Sequence, residues 1–199
     1  MTAFETIILA AGGSCRFGRA NKLLQPWGAS TVIATVVESA LTLLPTRLVV
    51  VTGYDSPAIE AALAGFSHQI EFCLNRDWNQ GMGNSLAAGV RFLDNQTRAP
   101  LMILLGDMPR LSAATIAQIL TTAEQNPDQI IQPHFAGKPG HPVIWPADLR
   151  PELCNLSGDQ GGKTIIINYP QRLLRLDWPD ELILRDIDTV EDYERLKWE

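Results

Sequence analysis

Residues 9–22 read LAAGGSCRFGRANK: Gly12, Gly13 and Ser14 in succession, then Arg16, Arg19 and Lys22. Consecutive small residues let backbone N–H groups turn inward and cradle an anion. The cations beside them add full charge. Far along the chain stand two groups of carboxylates, Asp107 in GDMP and Asp186 with Asp188 in DIDTVEDY. Asp107 directly follows the apolar run LMILL, so it is held at the end of a buried strand. A rigid carboxylate beside an anion loop suits a hard cation. Magnesium takes one or two protein carboxylates and completes its shell with water and phosphate oxygens.

Each segment also has a plain structural reading. The glycine loop could be a flexible strand-to-helix connection with surface cations. Two common phosphate loops are excluded, because Gly18 is followed by Arg19 and Ala20 rather than Lys and Ser/Thr, and there is no GxGxxG. Asp107 could cap the turn that begins at Pro109. Asp188 or Thr189 could cap the last helix, with Glu191 and Asp192 at its positive end. In GMGNSL, residues 81–86, Asn84 or Ser85 could be a helix cap, or the segment could present its backbone to an anion or a base edge. His141 lies in the constrained tripeptide Gly-His-Pro, and Asp159 in SGDQGGK, a glycine-rich loop with an anion-friendly helix start. The tryptophans at 27, 78, 145, 178 and 198 are most simply core or surface-cover residues.

The elements that must position these residues alternate between short apolar runs and amphipathic stretches. Thr6–Leu9, Arg47–Thr52, Ile70–Leu74 and Leu101–Leu105 read as strands. Helices are expected over residues 31–44, near Pro57, from about Asn84 to Leu93, and from a Ser112 cap to about Glu124. After Gln129 the rhythm changes. IIQPHFAGKPGHPVIW reads as two strands around a Gly/Pro turn, and GDQGGKTIIINY as a helix start. RLLRL reads as a strand, and LILRDIDTVEDYERL as a strand, a turn and a terminal helix. Strands apolar on both faces, alternating with helices, predict an α/β layered fold with a mostly parallel sheet, built as one domain over residues 1–199. Ligands of such sheets bind beyond the carboxyl ends of the strands. The glycine loop, Thr52–Gly53, the NRDWNQGMGNS segment and GDMP all follow strands there, so four loops converge on one edge.

Composition narrows the partners. The chain has 199 residues, 46% hydrophobic and 19% charged, with a net charge of −6, which offers no bulk attraction for nucleic acid or an anionic membrane. Cys15, Cys73 and Cys154 are scattered and form no CxxC pair, which argues against a disulfide framework or structural zinc. No secretory signal or membrane-length apolar run is present, so a cytoplasmic protein is expected.

LAAGGSCRFGRANK resembles the signature LAAGxSxRMGxxK of nucleotidyltransferases, most closely the molybdenum cofactor cytidylyltransferases and other MobA-like NTP transferases. The similarity spans nearly the whole chain: PWG follows the signature, GMGNSL resembles GMGxSL, and LLGDMP resembles LLGDQP. GHPVIW resembles GHPVLF, SGDQGGK resembles SGDxGAR, and DIDTVEDY resembles DIDTPEDL. The resemblance implies a Rossmann-like three-layer α/β/α fold with a mostly parallel mixed sheet. It implies Mg²⁺-dependent transfer of a nucleotidyl group from a nucleoside triphosphate to the phosphate of molybdopterin, with release of pyrophosphate. Carried over by position, Leu9, Ala10, Ala11 and Gly12 contact base and sugar, and the loop through Gly13, Ser14 and Arg16 holds the β and γ phosphates. Lys22 stabilises the α phosphate, and Asp107 and Asp188 bind the metal. Thr52, Gly53, Asn75 and Ser85 on the same edge are further candidate nucleotide contacts, and His141 and Asp159 lie where the acceptor is expected. Relatives using CTP tend to carry LAAG and those using GTP LAGG, so Ala11 favours CTP. Phe17, Met108 and Val190 depart from the family's Met, Gln and Pro. Alternative readings keep the fold with GTP or a sugar phosphate as substrate, or make the chain a non-catalytic molybdopterin-binding accessory of a molybdoenzyme.

Overall fold

A computed structural model describes residues 3–18, 20–93 and 98–198, so Arg19, left without a role by the family pattern, lies outside the described residues. Chain order runs β1 (Glu5–Ala10), β2 (Pro26–Trp27), β3 (Ser30–Thr31), α1 (Val32–Leu41), β4 (Arg47–Thr52), α2 (Ser56–Ala62), β5 (Glu71–Leu74) and α3 (Met82–Leu93). It continues with β6 (Leu101–Leu105), α4 (Ala113–Gln125), β7 (Ile130–Phe135), β8 (Lys138–Pro139) and β9 (Val143–Trp145). Last come α5 (Arg150–Cys154), α6 (Lys163–Asn168), β10 (Leu173–Asp177) and α7 (Val190–Trp198). The main sheet has the order β10-β7-β9-β6-β1-β4-β5, with β8 paired to β7; β2 and β3 form a separate hairpin. The pairs β6–β1, β1–β4, β4–β5 and β10–β7 are parallel, while β9 runs antiparallel to both β6 and β7.

Both faces of this sheet are apolar, and strand alternation sorts them. Ile8, Val50, Met102, Leu104, Ile131 and Ile144 face α1, α4 and α7. Ile7, Val49, Val51, Ile103, Ile130 and Trp145 face α3, α5 and α6. The result is the expected three-layer arrangement. Thr31 and Ser112 cap α1 and α4 through their side chains, accepting from the N–H groups of Ala34 and Thr115.

Two local expectations are corrected. LILRD is not a strand: Glu181–Leu184 is a 3₁₀ turn, nucleated by the Asp180 carboxylate accepting from Leu182 N–H. The fully buried Ile183 then gives its carbonyl to the N–H of His141, which ties this turn to the β8–β9 connection instead of a sheet edge. Neither Asn84 nor Ser85 caps α3, which already begins at Met82. Asn84 Oδ1 accepts from Gly158 N–H, and Ser85 Oγ accepts from Asn75 Nδ2. Among the described residues no helix is long and apolar enough to cross a membrane.

Candidate functional site

The glycine loop leaves β1 at the carboxyl edge and folds back on itself. Ser14 adopts a left-handed φ of 51°, and its carbonyl accepts from Phe17 N–H at 2.9 Å. Its hydroxyl accepts from the Lys22 N–H at 3.2 Å and faces Asn21 Oδ1, which in turn accepts from Leu23 N–H. Ser14 therefore closes the loop and aims Lys22, which begins a short 3₁₀ turn, towards the strand ends. Phe17 anchors the loop from below: it is buried and meets the Tyr193 ring edge-on, 6.0 Å between centroids.

Opposite the loop stand the carboxylates. Asp107 follows β6, and its carbonyl accepts from Ile187 N–H at 3.0 Å, which fastens the segment before α7 to the Asp107 loop. Ile187 is fully buried. In an extended stretch, residues two apart share a side, so burying Ile187 turns Asp186 and Asp188 together to the cleft. Oxygens of Asp107, Asp186 and Asp188 lie within 4.8 Å of one another. Thr189 and Asp192 form a reciprocal capping box, so the cap falls to Thr189 and leaves Asp188 to the cluster.

The cations lie directly on this cluster. Lys22 Nζ is 2.6 Å from Asp107 Oδ2 and 3.2 Å from Asp188 Oδ1, and Arg16 Nη2 is 2.9 Å from Asp188 Oδ2. Burial works against the Lys22 ammonium, yet attraction to Asp107 and Asp188 outweighs it and holds its pKa above the ordinary lysine value. The pKa of Asp186 is pushed upward too, which for a carboxylate disfavours the charged form, first by burial and then by repulsion from Asp107 and Asp188. Asp107 Oδ1 is buried with no hydrogen-bond partner among the described residues. An all-oxygen donor set with an orphaned carboxylate oxygen fits a hard divalent cation.

These groups line a cleft of about 390 Å³ at the carboxyl edge. Its walls include Leu9, Ala10, Ala11, Gly12, Gly13, Arg16 and Lys22 from the first loop, Ser85 from α3, and Asp107, Asp159 and Asp188. The other expected residues sit behind the walls. Ser14 is committed to loop closure. Thr52 is fully buried, its hydroxyl accepting from Ser56. Gly53 backs onto Trp78, whose Cβ would lie 2.5 Å from a methyl placed there. Asn75 is buried and spends its amide on Ser85 and Asp77. The four-loop picture is thus corrected: the loop after β4 supports the site from behind, and segments around Asp159 and Asp186 complete it. His141 likewise falls outside the cleft lining. Its imidazole is pushed down in pKa by burial, more than the neighbouring Asp107 raises it, which disfavours the charged form.

Leu23, Trp78, Asn79 and Leu105, to which the motif reading gave no site role, also line the cleft, with Gly81 and Met82 of GMGNSL and with Asp186, which the resemblance had left out of the metal set. Trp78 had a plain cover role in sequence; in the fold its ring lies over Gly13 and meets Tyr54 at 5.6 Å. A strap from residues 157–161 closes one side. Gly83 N–H donates to Gly158 O at 2.7 Å, and Gly158 N–H donates to Asn84 Oδ1 at 3.0 Å. Ala11 is 4% exposed and its methyl lies towards Gly53. Met108 is buried in the core and is not part of the cleft lining. A larger cavity, about 700 Å³, opens at the opposite ends of the strands, beneath Phe4, Pro100 and Asp128. It lies away from the glycine loop and the acidic cluster, so size is a poor guide to the chemistry here.

Comparison with known proteins places this geometry. The profile of the MobA-like NTP transferase domain matches residues 6–173. Nicotine blue oxidoreductase of Paenarthrobacter nicotinovorans is 30% identical over 198 residues, 96% of this chain and 94% of that protein. A nucleotidyl transferase from Methanothermobacter thermautotroptrophicus shares the fold, with a TM-score of 0.84 at 24% identity over 99% of this chain and 97% of that one. A manganese complex of Rv0371C from Mycobacterium tuberculosis H37Rv gives a TM-score of 0.76 at 25% identity over 99% of both chains.

Proposed function

The chain belongs to the family of MobA-like NTP transferase domains, and we propose that it transfers CMP from CTP to the phosphate of a molybdopterin-type acceptor, with release of pyrophosphate. The observation that carries this reading is the pairing of Lys22 and Arg16 with Asp107 and Asp188 beside the glycine loop. An ionised acceptor phosphate needs no general base. Its oxygen attacks the α phosphorus, the bond to the β-bridging oxygen breaks, and that oxygen carries the negative charge away in pyrophosphate. The protein's task is therefore positioning and charge stabilisation.

Asp107, Asp186 and Asp188 would hold the divalent cation, Mg²⁺, which supplies positive charge to the phosphate oxygens. The backbone N–H of Gly13 and the loop that Ser14 closes receive the β and γ phosphates, with Arg16 above them. Lys22, fixed by Ser14, meets the α phosphate. Leu9, Ala10, Ala11 and Gly12 border the base and sugar, and Ala11 favours cytosine. Ser85, backed by Asn75, and the loop after β4 through Thr52 and Gly53 shape that wall. Asp159 faces the acceptor, and His141, as a neutral imidazole behind Asp107, steadies the metal loop. The single domain works in the cytoplasm and serves a molybdoenzyme, without nucleic acid or membrane partners.

A thermal-unfolding panel tests the nucleotide preference, since a ligand that binds only the folded state adds about 2.7 kcal/mol at a hundredfold its Kd. With Mg²⁺ present, CTP raises the melting temperature more than GTP, ATP or UTP; an equal or larger shift with GTP refutes the base assignment.

A further inference from the structure

The Lys22 ammonium occupies the ground between Asp107 and Asp188 that a cation bound by these carboxylates must also claim. Its side chain is 13% exposed, and Asp107 and Asp188 are 17% and 28% exposed, so water screens the contact only partly. Arg16 holds the remaining oxygen of Asp188. The two cations balance two of the three charges in the cluster.

Building on the nucleotidyltransferase reading, we propose that Lys22 is an internal counter-cation that stands in for the divalent ion. The metal reaches the aspartates only as Lys22 moves to the triphosphate, so metal and nucleotide bind together and neither binds well alone. The geometry supplies the exchange. Ser14 holds the Lys22 backbone at the rim of the glycine loop, so rotation of the side chain alone carries the ammonium between the carboxylates and the phosphate cradle. A triphosphate offers Lys22 and Arg16 new anionic partners as they leave Asp107 and Asp188. Without one, an entering metal must strand both cations. The arrangement keeps the acidic cluster from loading metal while no substrate is at hand.

The test is Mn²⁺ binding to the full chain, followed by electron paramagnetic resonance and calorimetry with no nucleotide present. Lys22→Met removes the charge while keeping an unbranched side chain, and Lys22→Arg keeps the charge. The proposal expects Lys22→Met to bind Mn²⁺ about tenfold more tightly than wild type, which corresponds to about 1.4 kcal/mol. It expects Lys22→Arg to bind no more tightly than wild type. Wild type should gain Mn²⁺ affinity when a non-hydrolysable CTP analogue is added, beyond the metal affinity of the analogue itself, and Lys22→Met should lose most of that gain. Unchanged or weaker Mn²⁺ binding by Lys22→Met overturns the proposal, and metal-dependent nucleotide binding by wild type then leaves the nucleotidyltransferase reading standing. Tighter binding by Lys22→Arg overturns it as well, and that variant keeps the test open if Lys22→Met does not fold. Absence of Mn²⁺ binding in every protein, even with nucleotide, overturns both.

Discussion

Gly83→Ala probes how the strap at residues 157–161 positions Asp159. A methyl at Gly83 would stand 2.8 Å from the Gly158 carbonyl oxygen and 2.9 Å from that of Ser157. Ordinary contact begins at 3.4 Å, so the strap must retreat by about 0.6 Å. That lengthens the 2.7 Å bond from Gly83 N–H to Gly158 O to about 3.3 Å, beyond the good range for N–H···O. Overpacking costs about 1–3 kcal/mol, while alanine in a helix recovers up to about 1 kcal/mol over glycine, so the fold survives with a modest loss. Turnover suffers as well, because a displacement of 1 Å can cost on the order of a hundredfold in rate. A shift of this size is expected to lower kcat about tenfold, with the Kd for nucleotide, measured by calorimetry, unchanged. Gly65→Ala is the control, since a methyl there meets nothing within 4 Å. Turnover by Gly83→Ala at the wild-type rate would refute the positioning role of the strap.

Asp107→Asn removes a charge from the cluster and is expected to lower kcat/KM by about 10²–10³, the scale of losing one fixed electrostatic contact in a transition state; steady-state kinetics with a circular-dichroism control checks it. Arg150→Met acts on stability alone. Arg150 is fully buried at the opposite strand ends, 2.5 Å from Glu5 and bonded to Ala99 O. Removing one partner of such a pair costs about 3–5 kcal/mol, which calorimetry should read as a fall of about 10 °C in Tm, with activity kept in the cold. Glu71 is held below the ordinary carboxylate range by its hydrogen bonds from Arg47. A depressed folded pKa gives stability that is present above about pH 4.3 and lost as pH falls through the folded value. Glu71→Gln should therefore narrow the stability gap between neutral and acid unfolding curves, by a small amount because water reaches both side chains, which are 34% and 43% exposed.

The strands were legible in sequence because burial on both faces leaves little but apolar residues between turn signals. Arg47–Thr52 and Leu101–Leu105 fall where their composition puts them. LILRD failed because its apolar residues pack on a turn whose shape is set by Asp180 and by the distant N–H of His141. No local pattern carries that contact. In the site, charge and glycine spacing pointed to the loop, Lys22 and two of the carboxylates that the fold brings together. DIDTVEDY showed Asp186 beside Asp188, but the resemblance carried only Asp188 to the metal; the i, i+2 spacing around Ile187, buried in the fold, is the signal that could have joined them. Thr52 and Asn75 look like contacts in sequence because polar residues follow strands there, yet the fold spends them on Ser56 and Ser85. Trp78 was hidden for the opposite reason: an aromatic in a loop reads as cover until Gly13 and Gly53 are seen to make room for it.

The most direct measurement of the central claim is pyrophosphate release by the full chain with CTP, GTP, ATP and UTP in turn, each with Mg²⁺, with and without molybdopterin. Release that requires the acceptor and runs fastest with CTP is the predicted result. Absence of pyrophosphate with every nucleotide, acceptor present, would contradict it.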